Sequence, residues 1–494
     1  MLAPTPSGPP RKLTIGMATY DDFDGVYFSV QAIRLYHPEI TADTEILVID
    51  NNPAGPAAAA LKSLDAWIDG YRYVPAPFAQ GTAVRDLIFR EASGEFVLCM
   101  DSHVLFQPGA LARLLDYLTR HADSRDLLQG PLLSDDLKKI TTHFDPIWRG
   151  GMWGAWSSDE RGLDSAAPPF EIPMQGLGVF ACRRDAWPGL NPRLRGFGGE
   201  EGCLHEKFRQ RGARTLCLPF LRWVHRFGRP LGVPYPLKWE DRIRNYMILF
   251  DELGLDRSPM VKHFEEFLGI EPAQAIVKRV EKELANPFHF FDGIYCINLD
   301  RATERWQAMR KRFERLGIAD RVRRFPAIET PSNHHIGCAL SHRAILAEAK
   351  QRGLRNVLVF EDDVIFSQAA LEELGPNLAE LKNRDWKTLY LGGHRWGRTF
   401  EKAPGCQHLE VPHRLTCMHA IAYHQSIYDR ILREVPERPS AVALWLQKQR
   451  GIDQYYARCL GGLHLITSPI IATQESILAQ ETRSFDIADG TSRS

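Results

Sequence analysis

Apolar and polar positions alternate along this chain in a way that predicts strands and helices in turn. Leu13 to Ala18 (LTIGMA) is a short continuous apolar run, as expected of a strand buried on both faces. Val26 to Tyr36 follows with apolar residues at helical spacing. The pattern then repeats: Glu45 to Asp50 as strand, Ala57 to Ile68 as helix, Tyr71 to Val74 as strand, Gly81 to Ala92 as helix and Phe96 to Met100 as strand. Strands alternating with helices predict a mostly parallel sheet covered on both faces. From Pro236 to Pro287 the strand signals stop, and charged amphipathic segments such as Trp239 to Leu253 and Ala273 to Leu284 predict helices that bridge two domains. The alternation then resumes. Gly293 to Leu299, Val322 to Ala327 and Val357 to Phe360 are predicted strands, and Thr303 to Leu316 and Cys338 to Gln351 predicted helices.

The expected organisation is therefore a flexible leader over 1–12, an α/β domain over 13–235, a helical linker over 236–287, a second α/β domain over 288–481 and a polar tail over 482–494. At 494 residues and 44% hydrophobic content, the chain can bury two cores. Its 61 basic and 61 acidic side chains cancel, so no global field draws it to nucleic acid or anionic lipid. No run approaches a membrane span, and the first ten residues lack a signal-peptide pattern. Nine scattered cysteines suggest neither a disulfide framework nor a zinc cage. The expected compartment is the cytoplasm, free or peripheral to a membrane.

In an open parallel sheet, ligands sit beyond the carboxyl ends of the strands, so polar residues that directly follow an apolar strand are the first candidates for chemistry. The first strand runs into Thr19-Tyr20-Asp21-Asp22, the second into Asp50-Asn51-Asn52, and FVLCM into Asp101-Ser102-His103. A carboxylate and an imidazole two residues apart can face one Mn²⁺ (or Mg²⁺) ion and leave coordination positions open. Diphosphate oxygens of a sugar nucleotide could fill those positions. A helix cap or a turn is the competing reading of Asp101-x-His103.

The context around this site has a precedent. Gly81-Thr-Ala-Val-Arg85-Asp86, Ala92-Ser-Gly-Glu95 and Asp50-Asn51 resemble the nucleotide-binding half of glycosyltransferase family 2. Gly150 to Trp156, Met174-Gln-Gly176 through Asp185, Phe197-Gly-Gly-Glu200-Glu201 and Trp223-Val-His225-Arg-Phe227 follow in the order seen in polypeptide N-acetylgalactosaminyltransferases. The resemblance spans about 13–230. It implies a GT-A fold, a nucleotide-sugar donor and metal ligands Asp101, His103 and His225. It also implies nucleotide-sugar contacts from Thr19, Tyr20, Asp50, Arg85, Asp101 and Gly176, with Glu200 or Glu201 beside the acceptor. Glu200 and Glu201 read equally as helix N-terminal acids, and His225 alone as a histidine in an aromatic loop. Asp86 departs from the pattern, because family 2 members often carry Asn there. No lectin domain or disulfide set accompanies the match, so a polypeptide acceptor does not carry over. Inversion and retention both stay open; an inverting reaction needs a base, for which Glu200 or Glu201 could serve.

In the second half, Asn356-Val-Leu-Val-Phe360 runs into Glu361-Asp362-Asp363. Three adjacent carboxylates repel one another without a cation to compensate. Strand alternation puts Glu361 and Asp363 on one side, suited to a shared metal, and Asp362 on the other. With Ile297-Asn-Leu-Asp-Arg301, Arg305, Gly337-Cys-Ala-Leu-Ser341-His342 and Val359 to Val364, this run resembles glycosyltransferase family 25 over about 291–480. Later echoes are Thr416 to Ala420, Gly451-Ile-Asp453 and Ala472-Thr-Gln-Glu475. That family includes lipooligosaccharide galactosyltransferases and the collagen galactosyltransferase domain. The resemblance implies a UDP-sugar donor, often UDP-galactose, bound by Arg301, Arg305, Ser341, His342 and Asp362. It implies metal on Glu361 and Asp363, and Asp453 as an acceptor-side carboxylate. Surface ion pairs compete as a reading of the two arginines, and a buried polar network as a reading of His342.

The expectation is a bifunctional glycosyltransferase of two GT-A domains acting on a glycan, lipid-linked or protein acceptor in surface-glycan biosynthesis. Catalysis by the C-terminal domain alone, with the first as a binding platform, and a sugar- or nucleotide-binding scaffold without turnover are the alternatives. Nucleic acid is disfavoured as a substrate.

Overall fold

The structure is a computed structural model that describes residues 11–474, apart from 78–80, 229–236, 331–332, 383, 396–399, 413–414 and 461–462. Most of the predicted leader, all of the predicted tail and Glu475 lie outside the described residues. The chain divides into two compact units, Met1–Val280 and Glu281–Ser494.

In the first unit, four parallel strands are ordered Phe96–Asp101, Leu13–Thr19, Thr44–Asp50 and Tyr71–Pro75. Their apolar runs are buried on both faces, with Leu13, Ile15, Met17, Val48 and Leu98 at or near zero exposure. Val179–Arg183 pairs antiparallel with Phe96–Asp101 and carries the sheet on through Leu127–Gln129, Thr215–Cys217 and Phe170–Glu171 to eight strands. A smaller sheet pairs Trp223–His225 with Val104–Phe106, with His225 opposite Val104.

The segment expected to be a linker over 236–287 packs into the first unit as far as Val280. Three helices form it, Trp239–Leu253, Ser258–Leu268 and Ile270–Ala285. Tyr246 Oη accepts from Trp153 N–H at 2.9 Å, and Met260 and Phe264 are fully buried. The amphipathic pattern signals a buried face but carries no information about which domain covers it.

The second unit repeats the same logic. Val322–Pro326, Gly293–Asn298 and Asn356–Glu361 are parallel neighbours, and Ala420–His424 pairs antiparallel with the last of them. Thr388–Tyr390, His464–Thr467, Leu409–Val411 and Glu401–Lys402 complete an eight-stranded sheet. The helix His334–Arg352 covers one face and Thr303–Arg315 the other, each packed into its own apolar cluster. A two-stranded ribbon, Val364–Phe366 with Ala472–Gln474, sets Gln474 opposite Val364. No described helix is long and apolar enough to cross a membrane.

Candidate functional sites

Register brings the first site together. Thr19 lies opposite Asp50 and Ala18 opposite Asp101, so three strands end at one level and present their polar residues side by side. The chain turns after Asp101, and pairing of the two short strands delivers His225 from the far end of the unit. His225 Nε2 stands 3.2 Å from Asp101 Oδ2 and 3.1 Å from His103 Nε2. Adjacent ligands on an octahedral ion with bonds of about 2.1 Å are about 3 Å apart, so one ion fits these three atoms. His103 is oriented from behind, since its Nδ1 meets Asp22 Oδ2 at 3.0 Å and Nε2 is thereby aimed at the cluster. Asp22 is in turn fixed by Ser102 Oγ (3.0 Å), Gly25 N–H (3.1 Å) and Arg226 (3.1 Å). Burial by itself would raise the Asp22 carboxyl, yet His103, Ser102 and Gly25 together hold it well below the usual range.

Arg85 links this cluster to the acceptor-side candidate. Its guanidinium lies 3.5 Å from Asp101 Oδ1 and 3.1 Å from Glu200 Oε1, with 11% of its side chain exposed. Burial opposes the charged form of Asp101, but His225 and Arg85 outweigh it and lower the carboxyl. Glu200 is the opposite case: burial and the neighbouring Glu201 raise it despite Arg85. Its Oε2 is buried without a hydrogen-bond partner. Gly198 and Gly199 approach Glu200 at φ +92° and +101°, a left-handed backbone that side chains with a Cβ rarely adopt. Asn245 Nδ2 donates to Gly198 O at 2.9 Å, so the helix expected to be a linker supports this turn.

The remaining first-site candidates have structural partners as well. Asp50, 1% exposed, accepts from Tyr73 Oη (2.7 Å) and Asn52 N–H (2.9 Å). Thr19 Oγ1 is buried without a hydrogen-bond partner, and Tyr20 beside it is half-buried. Gly176 packs against Phe144 and Trp156, on a segment whose Gly178 O accepts from Asp101 N–H at 2.9 Å. Glu201 opens the helix Glu201–Gln210. Asp86 is structural: it accepts from Trp187 Nε1 (2.7 Å) and Leu190 N–H (2.9 Å).

In the second unit the strand Asn356–Glu361 ends at Glu361, and the turn formed by Asp362 and Asp363 separates the acidic run. Asp362 takes Asn298 Nδ2 (2.7 Å) and Arg305 (3.0 Å). Glu361 and Asp363 share Gln474, whose Nε2 lies 3.3 Å from Glu361 Oε2 and 3.2 Å from Asp363 Oδ2. Burial and the Glu361 charge raise the Asp363 carboxyl, the repulsion that a cation would relieve. Burial would raise Glu361 too, but the His342 imidazole, its Nε2 3.9 Å from Glu361 Oε1, lowers it.

Three candidates sit elsewhere than expected. Arg301 pairs with Glu329 and is two-thirds exposed, so it makes no contact with the acidic run. Ser341 does not line a pocket: it is fully buried, accepts from Ile328 N–H (2.9 Å) and donates to Gly337 O (2.7 Å). His342 is fully buried behind Glu361, with Nδ1 2.9 Å from Tyr423 Oη. These two residues lie inside the helix on its sheet-facing side, which the motif alone does not reveal. Asp453 accepts from Gln454 N–H at 2.8 Å and lies near enough to add to the upward push on Cys338. Asp22, Asn298 and Gln474 are contributors that lie in the quoted motifs but to which sequence reasoning gave no role of their own. Asp22 had a signal, following a strand end and capping the helix Phe23–Tyr36. Gln474 is 113 residues from Glu361 and 111 from Asp363 in sequence, and the ribbon pairing brings it to them.

The two candidate sites, each at the carboxyl end of a largely parallel sheet, fall mainly in stretches that match glycosyltransferase families. Residues 14–158 match glycosyl transferase family 2, and residues 329–428 match glycosyltransferase family 25 (LPS biosynthesis protein). The chain thus carries a family 2 domain in its first unit and a family 25 domain in its second. Among curated relatives, a glycosyltransferase 25 family member of Drosophila pseudoobscura pseudoobscura is 34% identical over 122 residues, 20% of this chain and 19% of that protein. Inactive glycosyltransferase 25 family member 3 of Mus musculus is 28% identical over 197 residues, 34% of this chain and 31% of that protein. The chain thus spans less than a third of the length of these relatives. Similar solved structures include GalNAc-T7 with UDP, GalNAc and Mn²⁺, with TM-score 0.39, 15% identity, and coverage of 49% of this chain and 48% of that one. The mannosyltransferase PcManGT of Pyrobaculum calidifontis with GDP-Man and Mn²⁺ gives TM-score 0.34 at 15% identity, covering 57% and 77%.

Proposed function

We propose that the chain is a bifunctional, divalent-cation-dependent glycosyltransferase, using nucleotide-sugar donors of the UDP-sugar type at both sites and transferring sugar to a hydroxyl acceptor such as a glycan. The observation that carries this reading is the convergence in space of Asp101, His103 and His225, with His225 Nε2 3.2 Å from Asp101 Oδ2 and 3.1 Å from His103 Nε2.

 His225 is more than a hundred residues from Asp101 and His103 along the chain and joins them only in space, where the three ligating atoms all lie within 4.8 Å of one another. Two nitrogens and a carboxylate oxygen suit Mn²⁺ or Mg²⁺ and leave positions for diphosphate oxygens. A bound ion there would neutralise the charge that builds on the departing diphosphate.

The protein's own groups supply the rest. Asp22 sets the orientation of His103, and Arg85 holds Asp101 and Glu200 at a common level. Glu200 takes the acceptor hydroxyl's proton if the reaction inverts, its raised carboxyl making it a stronger base than an ordinary glutamate. Asp50, Thr19 and Tyr20 line the nucleoside side of the site, and Gly176 leaves room beside the sugar. In the second unit, Asp363 and the Oε2 face of Glu361 would hold the cation, while Arg305 and Asp362 would contact the nucleotide. Asp453 serves the acceptor, and the family 25 match favours galactose as the transferred sugar.

Two curated family 25 relatives, in mouse and in human, carry the name inactive, so the family 25 match alone does not decide turnover. The deciding experiment is hydrolysis and transfer with a panel of UDP-sugars plus Mn²⁺, comparing wild type with Asp101→Ala/His103→Ala and with Asp362→Ala/Asp363→Ala. Loss of a different donor's turnover in each double variant supports two active sites. Loss in the second variant alone makes the first unit a binding platform, and no turnover of any donor removes the enzymatic reading.

A further inference from the structure

Behind the acidic run of the second unit lies a cluster that shares only Glu361 with the proposed donor site. Cys338 and His342 are four residues apart on the helix His334–Arg352, so their side chains project from one face. That face meets the end of the strand Asn356–Glu361. Cys338 Sγ lies 3.3 Å from Glu361 Oε1, and His342 Nε2 lies 3.9 Å from the same oxygen. The three ligating atoms fall within 4.8 Å of one another. Ligands on a tetrahedral zinc ion, with bonds of about 2.0–2.3 Å, are about 3.3–3.6 Å apart, so small side-chain shifts would close the set on one ion.

His342 supplies the second, independent observation. It is fully buried, and its Nε2 has no hydrogen-bond partner. A buried imidazole nitrogen without a partner is costly unless something compensates it. The other ring nitrogen, Nδ1, is engaged by Tyr423 Oη at 2.9 Å, which fixes the ring with Nε2 aimed at Cys338 and Glu361. Metal-bound histidines are commonly held in this way through the nitrogen that does not bind the ion. Cys338 and Glu361 are each partly exposed, which leaves an entry path.

We propose that Cys338, His342 and Glu361 form a site for a thiophilic divalent cation such as Zn²⁺, distinct from the harder cation expected on Asp363. The two oxygens of Glu361 divide the work: Oε1 faces the thiol and imidazole, and Oε2 faces Gln474 beside Asp363. Binding forms a metal–sulfur bond, breaks the Cys338 S–H bond and releases that proton to solvent, and a water completes four-coordination. No oxidant or reductant is required. The ion would brace the helix against the strand end that carries the acidic run.

The test uses Co²⁺ as a spectroscopic substitute for Zn²⁺ in the full chain, and it reads binding without reference to donor turnover. A thiolate ligand gives Co²⁺ an intense near-ultraviolet charge-transfer absorption that sites made only of nitrogen and oxygen lack, so the first unit's Asp101, His103 and His225 cannot produce it. The expected result is one equivalent of thiolate-bound Co²⁺, displaced by Zn²⁺. The band should vanish in Cys338→Ser, weaken in affinity by at least about tenfold in His342→Gln, and persist in Asp101→Ala/His103→Ala. Circular dichroism confirms that each variant is folded. No charge-transfer band at saturating Co²⁺, or a band that survives in folded Cys338→Ser, overturns the proposal and leaves the cluster a buried hydrogen-bond network.

Discussion

Replacing Asp22 with asparagine isolates what a residue outside the metal ligands contributes to the first site. The Asp22 carboxylate touches His103 Nδ1 at 3.0 Å but not the other proposed ligands. It also caps the helix Phe23–Tyr36 by accepting from Gly25 N–H at 3.1 Å. Asparagine caps a helix about as well as aspartate, so Asp22→Asn keeps the cap and removes the charge behind His103. Loss of such a partner weakens metal binding by about 10–100-fold, or about 1.4–2.8 kcal/mol. Stability carries a separate signature. Because the folded state depresses the Asp22 carboxyl, its contribution is present above the unfolded-state value and is lost as pH falls through and below that value; Asp22→Asn removes this acid-side dependence. The assay is a Mn²⁺ titration followed by the electron paramagnetic resonance of the free ion, in a background of Asp362→Ala/Asp363→Ala to silence the second unit. A folded Asp22→Asn variant that binds Mn²⁺ as wild type does, in an experiment where His103→Ala binds none, would refute the reasoning.

Three further outcomes follow from contacts elsewhere. Turnover at the first site should rise with pH through a value above the ordinary glutamate range, because burial and Glu201 raise Glu200; in Glu200→Gln the rate should fall by about 10²–10⁴-fold and the pH dependence should flatten, and a variant with wild-type kcat would exclude Glu200 as the base. Asp86→Ala strands Trp187 Nε1 and Leu190 N–H and should cost about 2–3 kcal/mol in urea unfolding, whereas Asp86→Asn keeps an acceptor for them and should cost clearly less. Arg305→Ala breaks an ion pair whose arginine is about half exposed, so stability should change by less than about 1 kcal/mol while KM for the second donor rises; an unchanged KM would remove Arg305 from the donor site.

Much of this architecture can be read from local pattern. Strands buried on both faces show as unbroken apolar runs such as LTIGMA and FVLCM, and helices as apolar spacing near 3.6, because burial imposes those periods on any chain that folds this way. The residues beyond the strand ends, Asp50, Asp101, His103 and Glu361 to Asp363, stand out for the same reason: polar groups directly after a buried strand must be solvated or must hold a ligand. Motif order also linked His225 to the first site across more than a hundred residues. Tertiary structure decided the rest. Helix Trp239–Leu253 could have covered either domain, and its apolar stripe does not say which; Tyr246 and Asn245 bind it to the first unit and, through Gly198, to Glu200. Ser341 and His342 lie in a motif that points toward a donor pocket, yet the helix turns both inward, and a rotation of one helix about its axis is invisible in a short motif. Asp22, Asn298 and Gln474 acquire roles only through pairings between distant segments, whose register depends on the packing of the whole unit rather than on the sequence near any one of them.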